Sequence, residues 1–176
     1  MLDEFEIRRL LGLLGAELSG AGLTGELFLV GGAAMALAYD RKRATRDLDA
    51  VFEPKSAVYA AALRVAEREG LPADWLNDAV KAFLPGPDPA ATVALEVDGL
   101  RVRVASPGYL FALKAAAARA ERDAEDLTIL YRLCGFPDIE AALDHVERTL
   151  GPAARLAPKT SLLLRELLGG GESSRA

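Results

Sequence analysis

The chain has 176 residues, a length that usually corresponds to one domain, and 51% of them are hydrophobic, enough to form a core. Its 21 basic and 26 acidic side chains give a net charge of −5, which argues against a surface coated with basic residues for nucleic acid. The single cysteine, Cys134, excludes an internal disulfide and a zinc site built from cysteine pairs. An acidic N-terminus without a signal-peptide pattern, and no apolar run of ~20 residues, predict a cytoplasmic protein without a membrane segment.

The predicted elements of the first half alternate between helices and strands. Leucines recur at helical spacing after the charged start, and an apolar run before two glycines has the character of a buried strand. The proline-rich segment 71–89 is predicted to be an ordered loop, because Trp75 within it needs burial. In chain order the predictions are a helix up to residue 18, a strand at 27–30, a helix at 33–39, a strand at 47–52 and a helix from 58 to Gly70.

Helices dominate the predicted second half, after one hairpin. Asp-Gly at 98–99, between two β-prone runs, predicts the hairpin, and serine followed by proline at 106–107 predicts the start of a helix. The sequence therefore predicts an α+β fold with a small mixed sheet and a helical C-terminal half. It predicts a single domain over residues 1–168 and a flexible tail at 169–176. The predicted elements are strands at 92–97 and 100–105 and helices that start near 106, 123, 138 and 160.

Two glycines, Gly31 and Gly32, stand between the first predicted strand and the helix after it. Backbone N–H groups at such a turn, with the positive end of the helix dipole, can hold a phosphate, and glycine permits its close approach. By themselves the glycines fit an ordinary tight strand-to-helix turn better.

Asp47 and Asp49 alternate on the second predicted strand, so their side chains share one face. Two neighbouring carboxylates repel each other unless a charge compensates, and Mg²⁺ is commonly held by one or two carboxylates together with substrate phosphates. Ion pairs with Arg43 and Arg46, or a solvent-facing strand edge, are the structural alternatives. The apolar residues after Asp49 favour a central strand, and with the nearby glycine turn they favour a metal site.

These residues together resemble the signature of the DNA polymerase beta superfamily of nucleotidyltransferases: Gly-Gly after an apolar residue, a short helix, then Arg-x-Thr-x-Asp-Leu-Asp. The minimal bacterial members, including the toxins of type IV toxin–antitoxin systems, are the most similar. A lysine-bearing helix followed by Arg-Asp-x-x-Asp-Leu at 122–127 resembles a second part of the toxin pattern, and Trp-Leu-Asn-Asp at 75–78 resembles a segment of an uncharacterised branch. The resemblance covers roughly residues 27–133.

The resemblance implies transfer of a nucleoside monophosphate from a nucleoside triphosphate to a hydroxyl of RNA such as tRNA, of a protein or of a small molecule. It also implies a toxin with an antitoxin partner. The implied nucleotide-binding residues are Gly31, Gly32, Arg43 and Thr45, the implied catalytic residues are Asp47, Asp49 and Lys114, and the implied Mg²⁺ ligands are Asp47 and Asp49.

The chain departs from the family pattern at two places. Active members often have a third acidic residue on a neighbouring strand, and Glu96 is the candidate here, as a third metal ligand. An exposed strand glutamate beside the arginines of the next strand is an equal alternative for Glu96, while Asp78 and Asp98 are weaker candidates. The family often has serine where this chain has Gly32, which removes one hydroxyl.

Lys114 and the acidic residues after it have structural interpretations as well. A lysine in mid-helix can extend along the helix to solvent, whereas the resemblance makes Lys114 a candidate to reach the triphosphate. Asp123 is predicted to cap the next helix, with Asp126 in its favourable first turn. Arg122 can bind phosphate or pair with Asp126, and the sequence does not separate these alternatives.

The densest basic run lies at 41–46, and it fits either a solvated loop or a surface that receives RNA or a triphosphate. The single histidine, His145, is predicted to lie on the surface. Two rival functions stay open: a degenerate member that binds nucleotide without turnover, and an antitoxin-like interaction protein in which the aspartates are structural.

Overall fold

The computed structural model of the protein describes residues 1–117, 120–151 and 158–169, without the side chains of residues 120–122 and 159. The chain forms two compact units, Met1–Leu84 with Pro89–Ala105, and Pro85–Asp88 with Ser106–Ala176. The single domain expected over residues 1–168 stays a prediction. Of the predicted tail, only Gly169 is described, and it ends a helix.

The first unit begins with helix α1, Glu4–Gly20. Asp3 starts this helix, since its Oδ1 accepts a hydrogen bond from the backbone N–H of Glu6 at 2.9 Å. The helix packs mainly against the third helix of the chain. The predicted leucine face is confirmed, because its buried members include Leu10, Leu11, Leu14 and Leu18.

Within the described residues, five strands form one mixed sheet in the spatial order β3-β2-β1-β5-β4. Strand β1 runs antiparallel to β2 and parallel to β5, β3 runs parallel to β2, and β4 runs antiparallel to β5. Strand β3 was not predicted, because two residues are too few to show a strand pattern. The strands are β1 (Gly25–Leu29), β2 (Leu48–Glu53), β3 (Leu76–Asn77), β4 (Thr92–Val97) and β5 (Leu100–Val104).

Short and long helices connect the strands of the first unit. Helix α2, Gly31–Ala34, continues as a π-helix, Met35–Tyr39, and a 3₁₀-helix follows β3 at Ala79–Phe83. Helix α3, Lys55–Glu69, ends at Gly70, whose φ of 66° is left-handed. Burial of Trp75 is confirmed: it is 1% exposed, and its Nε1 donates to a backbone carbonyl of α3 at 3.0 Å.

The second unit consists of helices α4 (Pro107–Ala116), α5 (Ala120–Cys134), α6 (Ile139–Leu150) and α7 (Pro158–Gly169). Ser106 caps α4, because its Oγ accepts from the N–H of Tyr109 at 3.3 Å. Asp88 in turn accepts from the N–H of Ser106 at 2.7 Å, which ties the short segment Pro85–Asp88 to this unit.

Two expectations for the second unit were wrong. Helix α5 begins at Ala120, so Asp123 lies inside the helix and does not cap it. His145 is half-buried rather than on the surface, because its ring packs against Phe136 with centroids 5.3 Å apart and faces Gly108 of α4.

The architecture confirms the predicted α+β class, with a mixed sheet within residues 25–104 and a helical C-terminal part after it. In the part of the chain that the structure describes, every helix is too short or too polar to cross a membrane.

Candidate functional site

The glycine turn lies directly against Asp49. Gly31 has a φ of +61°, a conformation that residues with a side chain rarely adopt. A Cβ added to Gly31 would lie 3.1 Å from Oδ2 of Asp49. The backbone N–H of Val30 also donates to the carbonyl of Asp49 at 3.0 Å. The end of β1 and the start of β2 therefore hold the turn and this carboxylate together.

Gly32 faces Thr45, for which the resemblance also implies nucleotide binding. A Cβ on Gly32 would lie 2.8 Å from Oγ1 of Thr45, so a side chain at position 32 would displace that hydroxyl. The Thr45 hydroxyl donates to the carbonyl of Asp47 at 3.0 Å. The Thr45 hydroxyl therefore lies directly beside Gly32 of the turn.

The N-terminal segment fixes the position of Thr45. The N–H of Leu2 donates to the carbonyl of Thr45 at 2.6 Å, and the N–H of Thr45 donates to the carbonyl of Leu2 at 2.9 Å. Leu2 is buried, so this two-way bridge is anchored in the core. The pattern of apolar residues gave no sign of this contact, because a single bridging residue has no periodicity.

Asp47 and Asp49 differ in their exposure. Asp47 is exposed just before β2, whereas Asp49 is half-buried on β2. Burial raises the pKa of Asp49, and the charge of Asp47 raises it further, while a hydrogen bond from Asn77 lowers it. No arginine is among these influences on the pKa of Asp49, so for Asp49 the structural alternative of an arginine ion pair has no support among the described residues.

Asn77 is a site residue that the sequence analysis missed. It is the last residue of β3 and lies opposite Asp49 in the parallel register of β2 and β3. Its Oδ1 accepts from the backbone N–H of Ala79 at 3.2 Å, and its side chain is hydrogen-bonded to Asp49. The only signal in the sequence was its place in the Trp-Leu-Asn-Asp segment.

The two weaker candidates for a third acid have other partners. Asp78 pairs with Lys55 at 2.5 Å and accepts from the hydroxyl of Tyr59 at 2.6 Å, and Lys55 is the main cause that lowers the pKa of Asp78. Asp98 accepts from the hydroxyl of Ser19 at 2.6 Å at the turn between β4 and β5. Both carboxylates therefore anchor loops to helices.

Glu96 does not reach the aspartates. In the register, Glu96 pairs with Arg101, Arg101 with Glu26 and Glu26 with Glu53. Glu96 on β4 is thus three strand positions away from β2 in the sheet. In the register it corresponds to Glu53 of β2, which is four residues after Asp49. Strand spacings of ~4.8 Å and ~3.3 Å per residue place its Cα roughly 20 Å from that of Asp49.

The expectation that Glu96 is a third metal ligand with Asp47 and Asp49 is therefore corrected. The Glu96 side chain is 67% exposed and lies 4.0 Å from Arg101. This arrangement matches the structural alternative, an exposed strand glutamate beside the arginines of the next strand. Across the described residues, no group of three or more histidine, cysteine and acidic side chains is arranged to hold a metal ion.

The basic run lies in the loop between the π-helix and β2. Arg41 is 88% exposed and reaches Glu4 of α1 at 3.3 Å, while the N–H of Arg43 donates to the carbonyl of Asp40 at 3.0 Å. Lys42 and Arg46 are exposed. The loop that leads into Thr45 and Asp47 therefore presents positive charge to solvent.

Lys114, in the second unit, is nearly buried between two carboxylates. Its Nζ lies 3.0 Å from Asp123 and 2.7 Å from Asp126, and the exposed fractions of these three side chains are 12%, 15% and 0%. Lys114 therefore does not extend to solvent. Its action on nucleotide with Asp47 and Asp49 stays a prediction, and the side chain of Arg122 lies outside the described residues.

No protein family model matches the chain, and no curated protein does. One solved structure, described as an antigenic nucleotidyltransferase-like protein from Paracoccidioides brasiliensis, is similar over 93% of this chain and 94% of that one. The TM-score is 0.48 and the sequence identity 16%, a level that supports no inference about activity.

Proposed function

We propose that the chain is a metal-dependent nucleotidyltransferase that moves a nucleoside monophosphate from a nucleoside triphosphate to an acceptor hydroxyl. The observation that carries the proposal is the contact between Gly31 and Asp49. Gly31 has a positive φ, and a Cβ built on it would lie 3.1 Å from Oδ2 of the half-buried Asp49. A second carboxylate, that of Asp47, is two residues away in the sequence. In this proposal the backbone of the turn would bind phosphate and the two carboxylates beside it would bind the metal.

The Asp47–Asp49 pair fits a divalent cation. Asp49 is half-buried beside a like charge, and this combination raises its pKa and destabilises its ionised form. When bound, Mg²⁺ would neutralise phosphate charge and favour in-line attack. Two carboxylates are a common protein share of a Mg²⁺ site, with phosphates and water as the other ligands.

The turn and the residues opposite it would bind the triphosphate. The first N–H groups of a helix have no partner within the helix, and α2 has no side-chain cap. These groups would donate to phosphate oxygens, with Gly31 and Gly32 permitting the approach. Thr45 and Arg43 would add a hydroxyl and a positive charge on the other side of the turn.

The acceptor that the surroundings favour is RNA, such as a tRNA. The loop with Arg41, Lys42 and Arg46 places cations next to Asp47 in a chain of net charge −5, and cations of this kind bind a phosphate backbone. A protein hydroxyl is the alternative acceptor. In this proposal the chain acts in the cytoplasm as a toxin that an antitoxin partner controls.

A second candidate function is nucleotide binding without turnover, as in a catalytically degenerate member of the same superfamily. The observation that favours it is the distance of Glu96 from the aspartates, which leaves two acidic residues at the site. In such a protein the nucleotide would bind and stay intact.

The test is incubation of the protein with each of the four labelled nucleoside triphosphates, Mg²⁺ and either total RNA or total protein. Transfer of label that disappears in Asp47→Asn and Asp49→Asn variants, but not in Glu96→Gln, is the expected result. Binding of label without transfer supports the second candidate. Failure to bind any triphosphate under these conditions would refute both.

A further inference from the structure

Asn77 contacts the proposed metal ligand and has an orientation that its own loop fixes. The parallel register of β2 and β3 sets Asn77 opposite Asp49. Its Oδ1 already accepts from the N–H of Ala79 at 3.2 Å, so the other end of the amide, Nδ2, is the end left to donate. The hydrogen bond to Asp49 is thus one in which the amide donates to the carboxylate.

The loop that carries Asn77 is anchored at its neighbours on both sides. Trp75 donates to a carbonyl of α3 at 3.0 Å and is buried, and Leu76 is buried in the core. Asp78 is held by Lys55 and Tyr59 of the same helix, at 2.5 and 2.6 Å. Asn77 therefore has little freedom to leave Asp49.

We propose that Asn77 is a positioning residue of the site, whose amide holds the Asp49 carboxylate against the glycine turn in the orientation that metal and triphosphate require. The inference rests on the proposed nucleotidyltransferase function. The Asp49 carboxylate lies between two fixed groups, Asn77 on β3 and Gly31 of the turn. Its Oδ2 is 3.1 Å from the point where a Cβ on Gly31 would lie. An aspartate at position 77 would place a third negative charge there, whereas asparagine donates without adding charge.

Two substitutions at position 77 separate this role from a merely structural one. Asn77→Ser keeps a hydroxyl that can accept from Ala79, but its side chain is one atom shorter toward Asp49. Asn77→Leu keeps the size and removes the donor. The matched control is Asp78→Asn, which weakens the anchor of the loop at the next residue and leaves Asn77 unchanged.

The first measurement is a double-mutant cycle in EDTA, with Asn77→Ser, Asp49→Asn and the double variant compared by thermal unfolding. Because the two side chains are in contact, the shifts in Tm are expected to be non-additive. Additive shifts would overturn the assignment of Asn77, and this measurement does not depend on metal or on transfer.

The second measurement is the affinity for Mn²⁺, with free Mn²⁺ determined by electron paramagnetic resonance. Asn77→Ser and Asn77→Leu are expected to weaken Mn²⁺ binding by about tenfold, as loss of a group that orients a metal ligand does. Asp78→Asn leaves Asn77 itself and the anchor at Trp75 in place, so it is expected to weaken Mn²⁺ binding less than the position-77 variants do. An equal loss in Asp78→Asn, or none in the position-77 variants, would overturn the proposal. A wild type that binds no Mn²⁺ in the presence of triphosphate would overturn the proposed function, and with it the role of Asn77, even if the coupling is present.

Discussion

Replacement of Lys114 by methionine is expected to destabilise the protein strongly. Methionine keeps most of the length of the side chain and removes its charge. The wild-type ammonium lies 2.7 Å from Asp126, which is fully buried, and 3.0 Å from Asp123, which is nearly so. After the substitution Asp123 can turn toward solvent, but Asp126 stays fully buried and loses its ion pair with Lys114.

Breaking a buried ion pair by removing one partner destabilises by ~3–5 kcal/mol. Lys114 keeps 12% exposure, so the lower end, about 3 kcal/mol, is expected. Such a loss lowers the folding equilibrium constant by roughly a hundredfold. For a chain of 176 residues it corresponds to a fall in Tm of about 6–12 °C.

The assay is thermal and urea unfolding followed by circular dichroism at pH 7. The control is Lys81→Met, an exposed lysine whose loss should change stability by less than about 0.5 kcal/mol. Adding Asp126→Asn to Lys114→Met removes the buried charge and should recover most of the stability. A Lys114→Met protein as stable as the control variant would refute the reasoning. A recovered double variant that still loses nucleotide transfer would support the catalytic role predicted for Lys114.

Three further predictions concern the first unit. In α1, Gly12→Ala should stabilise the protein by about 0.5–1 kcal/mol, because the added Cβ would meet nothing within 4 Å. In the same helix, Gly15→Ala should destabilise the protein by about 1–3 kcal/mol, because the added Cβ would lie 2.7 Å from a backbone carbonyl. Asp49→Asn should raise the Tm of the metal-free protein at pH 7, and the gain should vanish below pH 3.8, since a raised pKa stabilises the fold only where the carboxyl is protonated. Gly32→Ala should lower the Tm, and Thr45→Gly in the same chain should recover most of the loss, because the added Cβ would meet the threonine hydroxyl at 2.8 Å.

Each of these predictions has a defined contrary result. Equal effects of the two α1 substitutions in urea unfolding would contradict the packing of α1 against the β4–β5 turn. An Asp49→Asn variant with the same Tm as the wild type at neutral pH would mean that burial and the charge of Asp47 do not destabilise the ionised form of Asp49. For the glycine turn, a double variant no more stable than Gly32→Ala alone would show that the crowding does not involve Thr45.

The residues of the proposed site that the sequence could predict are close together along the chain. Gly31, Gly32, Thr45 and Asp49 lie within one strand–helix–strand segment, and the turn and β2 bring them into contact. Strand alternation predicts that Asp47 and Asp49 share one face; Asp49 lies on β2, and Asp47 directly precedes that strand. Asn77 was missed because its strand has two residues and exists only through its pairing with β2.

The error on Glu96 has a different cause. Its strand was predicted correctly, as one arm of the hairpin at Asp98 and Gly99, but its position in the sheet was not. Strand β5 pairs with β1 and leaves β4 at the far edge, so the arm that follows the turn lies nearer the site than the arm with Glu96. Nothing local to the hairpin chooses between its two arms.

The sequence alone determined the features that depend on short-range geometry. The leucine face of α1, the hairpin turn with a φ of 75° at Gly99, the cap at Ser106 and the end of α3 at Gly70 each follow from the chemistry of a few adjacent residues. Only the tertiary structure decided the strand order, the contact of Asn77 with Asp49 and the burial of Lys114 between Asp123 and Asp126. These features join residues through long-range packing, and neither periodicity nor turn chemistry carries information about which distant faces meet.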